Sequence, residues 1–467
     1  MSNKNYFDLK TQEELLGLVF VVCDLENKII KDEKKLEEEL IYTLAYNASV
    51  NENKEIKQES INIINKIAEI YNLKTGSNFD FYNQKKNEEY EFFTVPAINS
   101  RMLTMHTVKS AVKVAENLKL PHLIFELALS ESDYTGQQMQ EYSAMAKTAY
   151  ISLGLKDKII YLQADHCQLD PKKYEENNEE ELNRIKNAIK KALEAGVYNI
   201  DIDTSKFETI DDKKTDRENQ FENAKHTAEL LYFIREYERK NNLEISVSVG
   251  GEVGEVGGGN TKYPHVNAYL EILHEELTKL SGETYRGLDK VSINVGSAHG
   301  GVLGSDGKPL ETVPLDFQAH HDLYMKAKDP LDRDRKVLSV QHGASTLPKN
   351  YFPLFPAMHV AEVHLATGFQ NLVWEVLEKE DVELFNKMKS LTEEKFADKI
   401  AKYETPEIGF MKERKRVTEF VKKDLLMSDA IGKIEEALEL EFSVLFYSLY
   451  NILLPKGDNV QSGDRAD

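Results

Sequence analysis

The 467-residue sequence predicts an α/β fold, a (β/α)8 TIM barrel carrying N-terminal and C-terminal helical extensions. Three observations predict it. From residue 91 to about 380, eight short apolar runs alternate with helical patterns, as a closed parallel sheet wrapped by helices requires. Three of those runs end in a histidine, and in two of the three the histidine is followed directly by glycine. Ionisable residues gather where the runs stop, which is the face on which such a barrel carries its site.

Composition bounds the alternatives. A hydrophobic content of 41% is enough for a full core, and no apolar run approaches the roughly 18 residues of a membrane span. The net charge of −21 argues against a nucleic-acid backbone or an anionic membrane surface as the main partner. Cys23 and Cys167 cannot build a disulfide framework and fit a reducing compartment. The N-terminal Met-Ser-Asn-Lys-Asn-Tyr has no signal-peptide core, so a cytoplasmic location is expected. An acidic protein that binds phosphates needs a local positive focus, which a metal or helix N-termini supply.

Residues 1–90 read as a helical extension. Apolar residues recur at helical spacing over 9–16, 31–45 and 59–71, the last through Ile61, Ile63, Ile64, Ile67 and Ile70. The stretch 76–87 breaks the pattern, and nothing in this part carries chemistry; a dimer interface or packing against the barrel underside is expected of it. The strand-like runs follow at 93–98, 122–129, 158–164, 198–203, 244–249, 290–295, 336–341 and 360–365. Helical patterns lie between them at 105–118, 139–153, 179–195, 217–240, 266–280 and 315–327, with a Pro-interrupted stretch after His342. Residues 381–467 return to charged amphipathic helix. There the apolar run 438–454 is expected to bury itself against the barrel or a second subunit, and the tail 457–467 to be disordered.

The third run closes on Asp165-His166-Cys167, the sixth enters Gly296-Ser-Ala-His299-Gly300-Gly301, and the seventh enters His342-Gly343-Ala-Ser345. Neighbours on a strand point to opposite faces, but where the strand ends the chain turns, and Asp165 and His166 can then share one mouth. Asp203 and Glu252 also fall at or past strand ends. Three neutral imidazoles from three strand ends form a tripod for Zn²⁺, though the ligand types suit Co²⁺ or Fe²⁺ as well. Small residues at Gly300, Gly343, Ser345 and Thr367 follow the last three strands, where barrels commonly hold a phosphate on backbone N–H groups and hydroxyls, without a basic side chain. Six glycines between 250 and 259 suggest a loop that closes over a substrate. His226, His265, His274, His320 and His321 lie on helical or loop patterns and read as structural.

In order, Asp165-His166, Ile202-Asp203-Thr-Ser205, Gly251-Glu252-Val-Gly254 with Val256-Gly257-Gly258, Gly296-Ser-Ala-His299-Gly300 and His342-Gly343-Ala-Ser345 resemble the class II (metal-dependent) fructose-bisphosphate aldolase family. The resemblance covers about residues 92–375, and Val95-Pro-Ala-Ile-Asn99 is similar to the family's first strand, making this a divergent long member. It implies a catalytic Zn²⁺ on His166, His299 and His342, with Asp203 and Glu252 as an alternative resting site and room for a monovalent cation. It implies Asp165 as the acid/base at the C4 hydroxyl, and Asn99, Gly300, Gly343, Ser345 and Thr367 as substrate and phosphate contacts. The implied reaction is reversible cleavage of a ketose bisphosphate, fructose 1,6-bisphosphate first among them, through a metal-stabilised enediolate, by a homodimer or homotetramer.

Two positions depart from the family pattern. The family's loop base aligns with Gly259, Asn260 and Thr261, none of which can move that proton near neutral pH, so Glu255 is the candidate substitute. The family's Asn-Ile-Asp-Thr after the last strand reads His364-Leu-Ala366-Thr367, so His364 is expected to favour a phosphate or reshape the pocket. The length, the N-terminal helices and the acid-poor loop also resemble the non-catalytic accessory subunit of tagatose-bisphosphate aldolase. Tagatose 1,6-bisphosphate or another sugar phosphate therefore stays open as substrate.

Overall fold

The computed structural model describes residues 6–86, 93–254, 259–282, 285–296, 314–330 and 336–452. Eight parallel strands close a ring: β1 (Val95–Asn99), β2 (Ile124–Ala128), β3 (Ile159–Gln168), β4 (Asn199–Asp203), β5 (Ser248–Val253), β6 (Lys290–Ile293), β7 (Leu338–Gln341) and β8 (Val360–Leu365). Each pairs with the next, and β8 pairs back onto β1 through Glu362 opposite Val95 and Leu365 opposite Ile98. All strands but β3 are buried along their whole length, because helices cover the outer face and side chains fill the inner one.

Two strands differ from expectation in ways that matter for the site. β3 does not stop at Ala164; it continues through Gln168, with one extra residue accommodated between Ala164 and Cys167 against β4. His166 takes the left-handed conformation at that bulge, with φ 42°. Asp165 and His166 therefore face one mouth because of a bulge inside the strand rather than because the strand has ended. β5 lies four residues later than the pattern suggested, so Gly250, Gly251 and Glu252 belong to the strand rather than to a loop. The glycine at 251 is needed for close packing, since a Cβ there would strike Tyr269 Oη and Leu288. The remainder of that glycine-rich stretch at 255–258 lies outside the described residues.

The helices begin where local chemistry favours them. Asp216–Lys240 opens on a capping box between Thr215 and Glu218, and Lys54–Ile70 opens on an Asn53 cap and buries Ile56, Ile61, Ile63, Ile64 and Ile67. The segment 76–86, expected to be irregular, is corrected: Lys74–Gly76 forms a short strand beside the start of β3, and Phe79–Lys86 is a helix. Its Phe81 stacks on His122 at 4.0 Å between ring centroids, and its Tyr82 hydroxyl donates to Glu362 of β8. This part of the N-terminal extension thus plugs the barrel underside. At the other end, Ile431–Leu449 buries Leu438, Phe442, Leu445, Phe446 and Leu449 against the helices Thr104–Leu118 and Thr367–Glu380. Each such side chain contributes about 1.5–3 kcal/mol. One continuous apolar core runs from Leu9 to Leu449. No helix among the described residues is long and apolar enough to cross a membrane.

Candidate active site at the barrel mouth

A cleft of about 470 Å³ opens at the C-terminal ends of the strands, and Asp165, His166, Asp203, Glu252, His342 and His364 line it. His166, raised into the mouth by the β3 bulge, is the hub. Its Nδ1 lies 3.1 Å from Asp203 Oδ2 and 3.3 Å from Glu252 Oε2, and its Nε2 lies 2.9 Å from His342 Nδ1. Asp203 is fixed from behind by the Ser205 N–H at 3.1 Å and the Ser205 hydroxyl at 2.8 Å, and Gln168 also donates to it. Ligand-type atoms of His166, Glu252 and His342 all lie within 4.8 Å of one another. His299, Gly300 and Glu255, which the sequence adds to this constellation, lie outside the described residues.

The charges favour a cation. Burial, with Asp203 beside it, pushes Glu252 up to about 7. Burial opposes a charged His166, but Asp165, Glu252 and Asp203 outweigh it and hold the imidazole well above its usual range. Oxygen atoms of Asp165, Glu126 and Asp201 are buried without a hydrogen-bond partner among the described residues. A divalent cation relieves such an excess of carboxylate, and two imidazoles with a carboxylate are a donor set that Zn²⁺ accepts. The residues present fit the metal.

Asp165 sits between two histidines, with Oδ2 3.8 Å from His166 Nε2 and Oδ1 3.5 Å from His364 Nδ1. Burial alone would raise its pKa, yet the two imidazoles hold its carboxyl well below the usual carboxylate range. His364 stacks on His342 at 4.0 Å and places Nδ1 2.9 Å from Glu126 Oε2 and Nε2 2.8 Å from Glu362 Oε1. Its ring is therefore surrounded by carboxylates.

Beneath this lies a charged layer that sequence reasoning missed. The even strands contribute Glu126, Asp201, Lys290 and Glu362, where barrels ordinarily stack branched apolar side chains. Lys290 Nζ lies 2.6 Å from Glu362 Oε1, 3.0 Å from Asp201 Oδ2 and 2.8 Å from Gln163 Oε1. Burial pushes Glu126 up to about 8 against the pull of His364, whereas Glu362, despite the same burial, is held well below its usual range by Lys290. The signal was present in the sequence. A charged residue inside an apolar run, as in Ile-Phe-Glu126-Leu-Ala or Val-Ala-Glu362-Val-His, must point into the barrel or out of it, and only pairing allows the inward choice.

Gly343, Ser345 and Thr367 gather on one side of the cleft, with Ser345 Oγ accepting from the Gly368 N–H at 3.1 Å. Asn99 donates to Glu131 at 2.6 Å. Arg101 reaches Thr367 Oγ1 with Nη1 at 3.3 Å, and Lys412 and Lys415 of the C-terminal extension line the same cleft. His320, read as structural, bonds Ser339 at 3.0 Å and Gln341 at 2.9 Å.

The model of the family described as fructose-bisphosphate aldolase class-II matches residues 84–433. No curated protein matches the chain. Among solved structures, a probable tagatose 6 phosphate kinase from Sinorhizobium meliloti 1021 aligns at 14% identity and TM-score 0.54, covering 76% of this chain and 100% of that one. A fructuronate-tagaturonate epimerase from Cohnella laeviribosi aligns at 11% identity and TM-score 0.51, covering 84% and 86%. A fructose-bisphosphate aldolase from Campylobacter jejuni aligns at 15% identity and TM-score 0.46, covering 81% and 96%. At such identities the first two likenesses establish the fold alone.

Proposed function

The chain belongs to the class II fructose-bisphosphate aldolase family, and from that premise we propose that it is a Zn²⁺-dependent aldolase. The proposed reaction cleaves fructose 1,6-bisphosphate reversibly to dihydroxyacetone phosphate and glyceraldehyde 3-phosphate. The observation that carries this reading is the placement of Asp165 beside His166 and His342 at the barrel mouth, with Glu252 and Asp203 closing the set.

His166, His342 and Glu252 would hold the cation, with His299 as the further expected ligand. A bound Zn²⁺ supplies Lewis-acid polarisation of the substrate carbonyl. The rest of the work falls to side chains. Asp203 orients the His166 ring through Nδ1 and keeps its other nitrogen facing the cleft. Asp165, ionised, accepts the proton of the C4 hydroxyl; the C3–C4 bond breaks as the C4 oxygen becomes a carbonyl, and the electron pair stays on the three-carbon fragment. His364, fixed by Glu126, steadies Asp165 through Nδ1 at 3.5 Å. Glu255 is assigned the return of a proton to the three-carbon fragment. Gly343, Ser345 and Thr367 hold a phosphate and so fix the reacting carbons near Asp165.

The test is cleavage of fructose 1,6-bisphosphate by the purified chain with and without chelator, read through triose-phosphate production, with tagatose 1,6-bisphosphate in parallel. Activity lost with chelator and restored by Zn²⁺ is expected. Zinc-replete, folded protein that cleaves neither sugar would refute the reading. Assembly as a homodimer or homotetramer belongs to the same proposal and is checked by light scattering.

A further inference from the structure

The N-terminal extension carries an uncovered apolar stripe, on a part of the chain that precedes the family match at 84–433. The helix Gln12–Val22 buries Leu15, Val19 and Val22 on the side that meets the helix Lys54–Ile70. Its opposite face is apolar as well: Leu16 is 51% exposed, Phe20 72% and Val21 59%. Contiguous exposed side chains of this kind mark a contact surface. Gly17 lies in the middle of the stripe. It sits inside the helix, and a Cβ there would meet nothing within 4 Å, so the fold of a single chain does not require a glycine at this position. Glycine within a helix destabilises it relative to alanine, and its use on an exposed face is to let a second element approach closely. The stripe also ends in opposite charges. Glu13 lies in the first turn, in line with Gly17 and Phe20 at helical spacing. At the far end Lys31 donates to the Phe20 carbonyl at 2.6 Å and holds its ammonium 4.0 Å from the Phe20 ring centroid. Neither Glu13 nor Lys31 makes an ion pair among the described residues.

We propose that this face is the interface between two copies of the chain, the helix Gln12–Val22 pairing antiparallel with itself across a twofold axis. Such an interface is self-complementary, so each contact occurs twice. An axis passing between Gly17 and Phe20 seats the Phe20 ring of each copy over Gly17 of the other. The same axis sets Glu13 of each copy level with the chain one turn past Phe20 of the other, which is where Lys31 carries its charge. Both charges are then matched and the apolar stripe is covered. A parallel pairing would bring like charges together instead. An anionic membrane fits less well, because Glu13 and Glu14 open the helix and the chain carries a net charge of −21. The inference rests on the proposal that the chain self-associates, and it is independent of the reaction assigned to the cleft.

The experiment is sedimentation equilibrium of the full-length, zinc-loaded protein over a concentration series, with circular dichroism and fructose 1,6-bisphosphate cleavage read on the same samples. Phe20→Glu should weaken self-association by about tenfold or more, taking a dimer to monomers or a tetramer to dimers, with the fold intact. Gly17→Gln should weaken it too, although its dissociated subunit should resist urea better than the parent because the change favours helix. Glu13→Lys should weaken association, and adding Lys31→Glu should restore most of it, since the double exchange matches the charges again. An assembly that Phe20→Glu leaves unchanged would overturn the interface and leave self-association standing. A chain that is monomeric throughout would overturn both, and binding of that monomer to phosphatidylglycerol vesicles that Phe20→Glu abolishes would assign the stripe to a membrane. Halving of the assembly by Phe20→Glu in a chain that cleaves no ketose bisphosphate would sink the aldolase reading alone.

Discussion

Nε2 of His166 lies 2.9 Å from Nδ1 of His342, a contact between β3 and the end of β7 across 176 positions of chain. Two imidazole nitrogens that approach so closely, with Asp203 on the other nitrogen of His166 and a Glu252 oxygen within 4.8 Å of both rings, converge on the space a metal ion would share. His342→Ala is therefore expected to lose Zn²⁺ on dialysis while keeping its fold, and Asp203→Asn to weaken Zn²⁺ binding by about 10–100-fold. Elemental analysis alongside circular dichroism checks both; full zinc occupancy in folded His342→Ala would remove the ligand assignment.

Asp165 is assigned to the chemistry rather than to the metal. Asp165→Asn keeps the size of the side chain and removes the proton acceptor, so kcat for cleavage should fall by about 10²–10⁴-fold at unchanged zinc content. Steady-state kinetics on zinc-quantified protein decides it, and a variant that keeps parental kcat would show that another group takes the C4 proton.

Glu255 carries the remaining proton in the proposed reaction, since Gly259, Asn260 and Thr261 cannot. Glu255→Gln should slow solvent proton exchange into dihydroxyacetone phosphate by about 10²-fold or more. Exchange followed by NMR at the parental rate would dismiss the assignment.

Tyr82 ties the N-terminal extension to the charged floor of the barrel by donating to Glu362. Tyr82→Phe leaves that buried carboxylate with Lys290, Gln163 and His364 but one donor short, and should cost about 1–3 kcal/mol in urea denaturation without changing zinc content. No change in the denaturation midpoint would mean that Tyr82 does not support the floor.

His320 gives the fold a pH dependence with a definite sign. Burial pushes its imidazole down to about 4, with Gln341 and Asp316 opposing, whereas in the unfolded chain it titrates near about 6.5. Above about 6.5 the residue is neutral in both states. As pH falls from there towards 4, the unfolded chain takes up a proton that the folded chain refuses, and about 3 kcal/mol of stability is lost. His320→Gln keeps partners for Ser339 and Gln341 without titrating, so its denaturation midpoint should fall less steeply between pH 6.5 and 4 than that of the parent. Parallel slopes would contradict the buried neutral histidine.

The alternation of apolar runs and helical patterns was legible because each strand of a closed parallel barrel is buried on both faces, which writes itself into the chain as β8 does over 360–365. The approximate positions of Asp165, His166, Asp203, Glu252 and His342 were legible for the same reason, since strand ends of a barrel share one face. Their geometry was not. The β3 bulge at His166 follows from register against β4, and β5 runs on through Gly251, where Tyr269 and Leu288 leave no room for a side chain.

By itself the sequence determined the barrel, its order of strands and the family, because periodicity and short local motifs carry that information. Only the tertiary structure decided which charges meet. His364 joins Glu126 and Glu362, Lys290 joins Asp201, and Lys415 reaches a cleft wall set by β1 and β8. Pairings between distant positions depend on how the ring closes and where the extensions dock, and a single chain read locally contains no term for either.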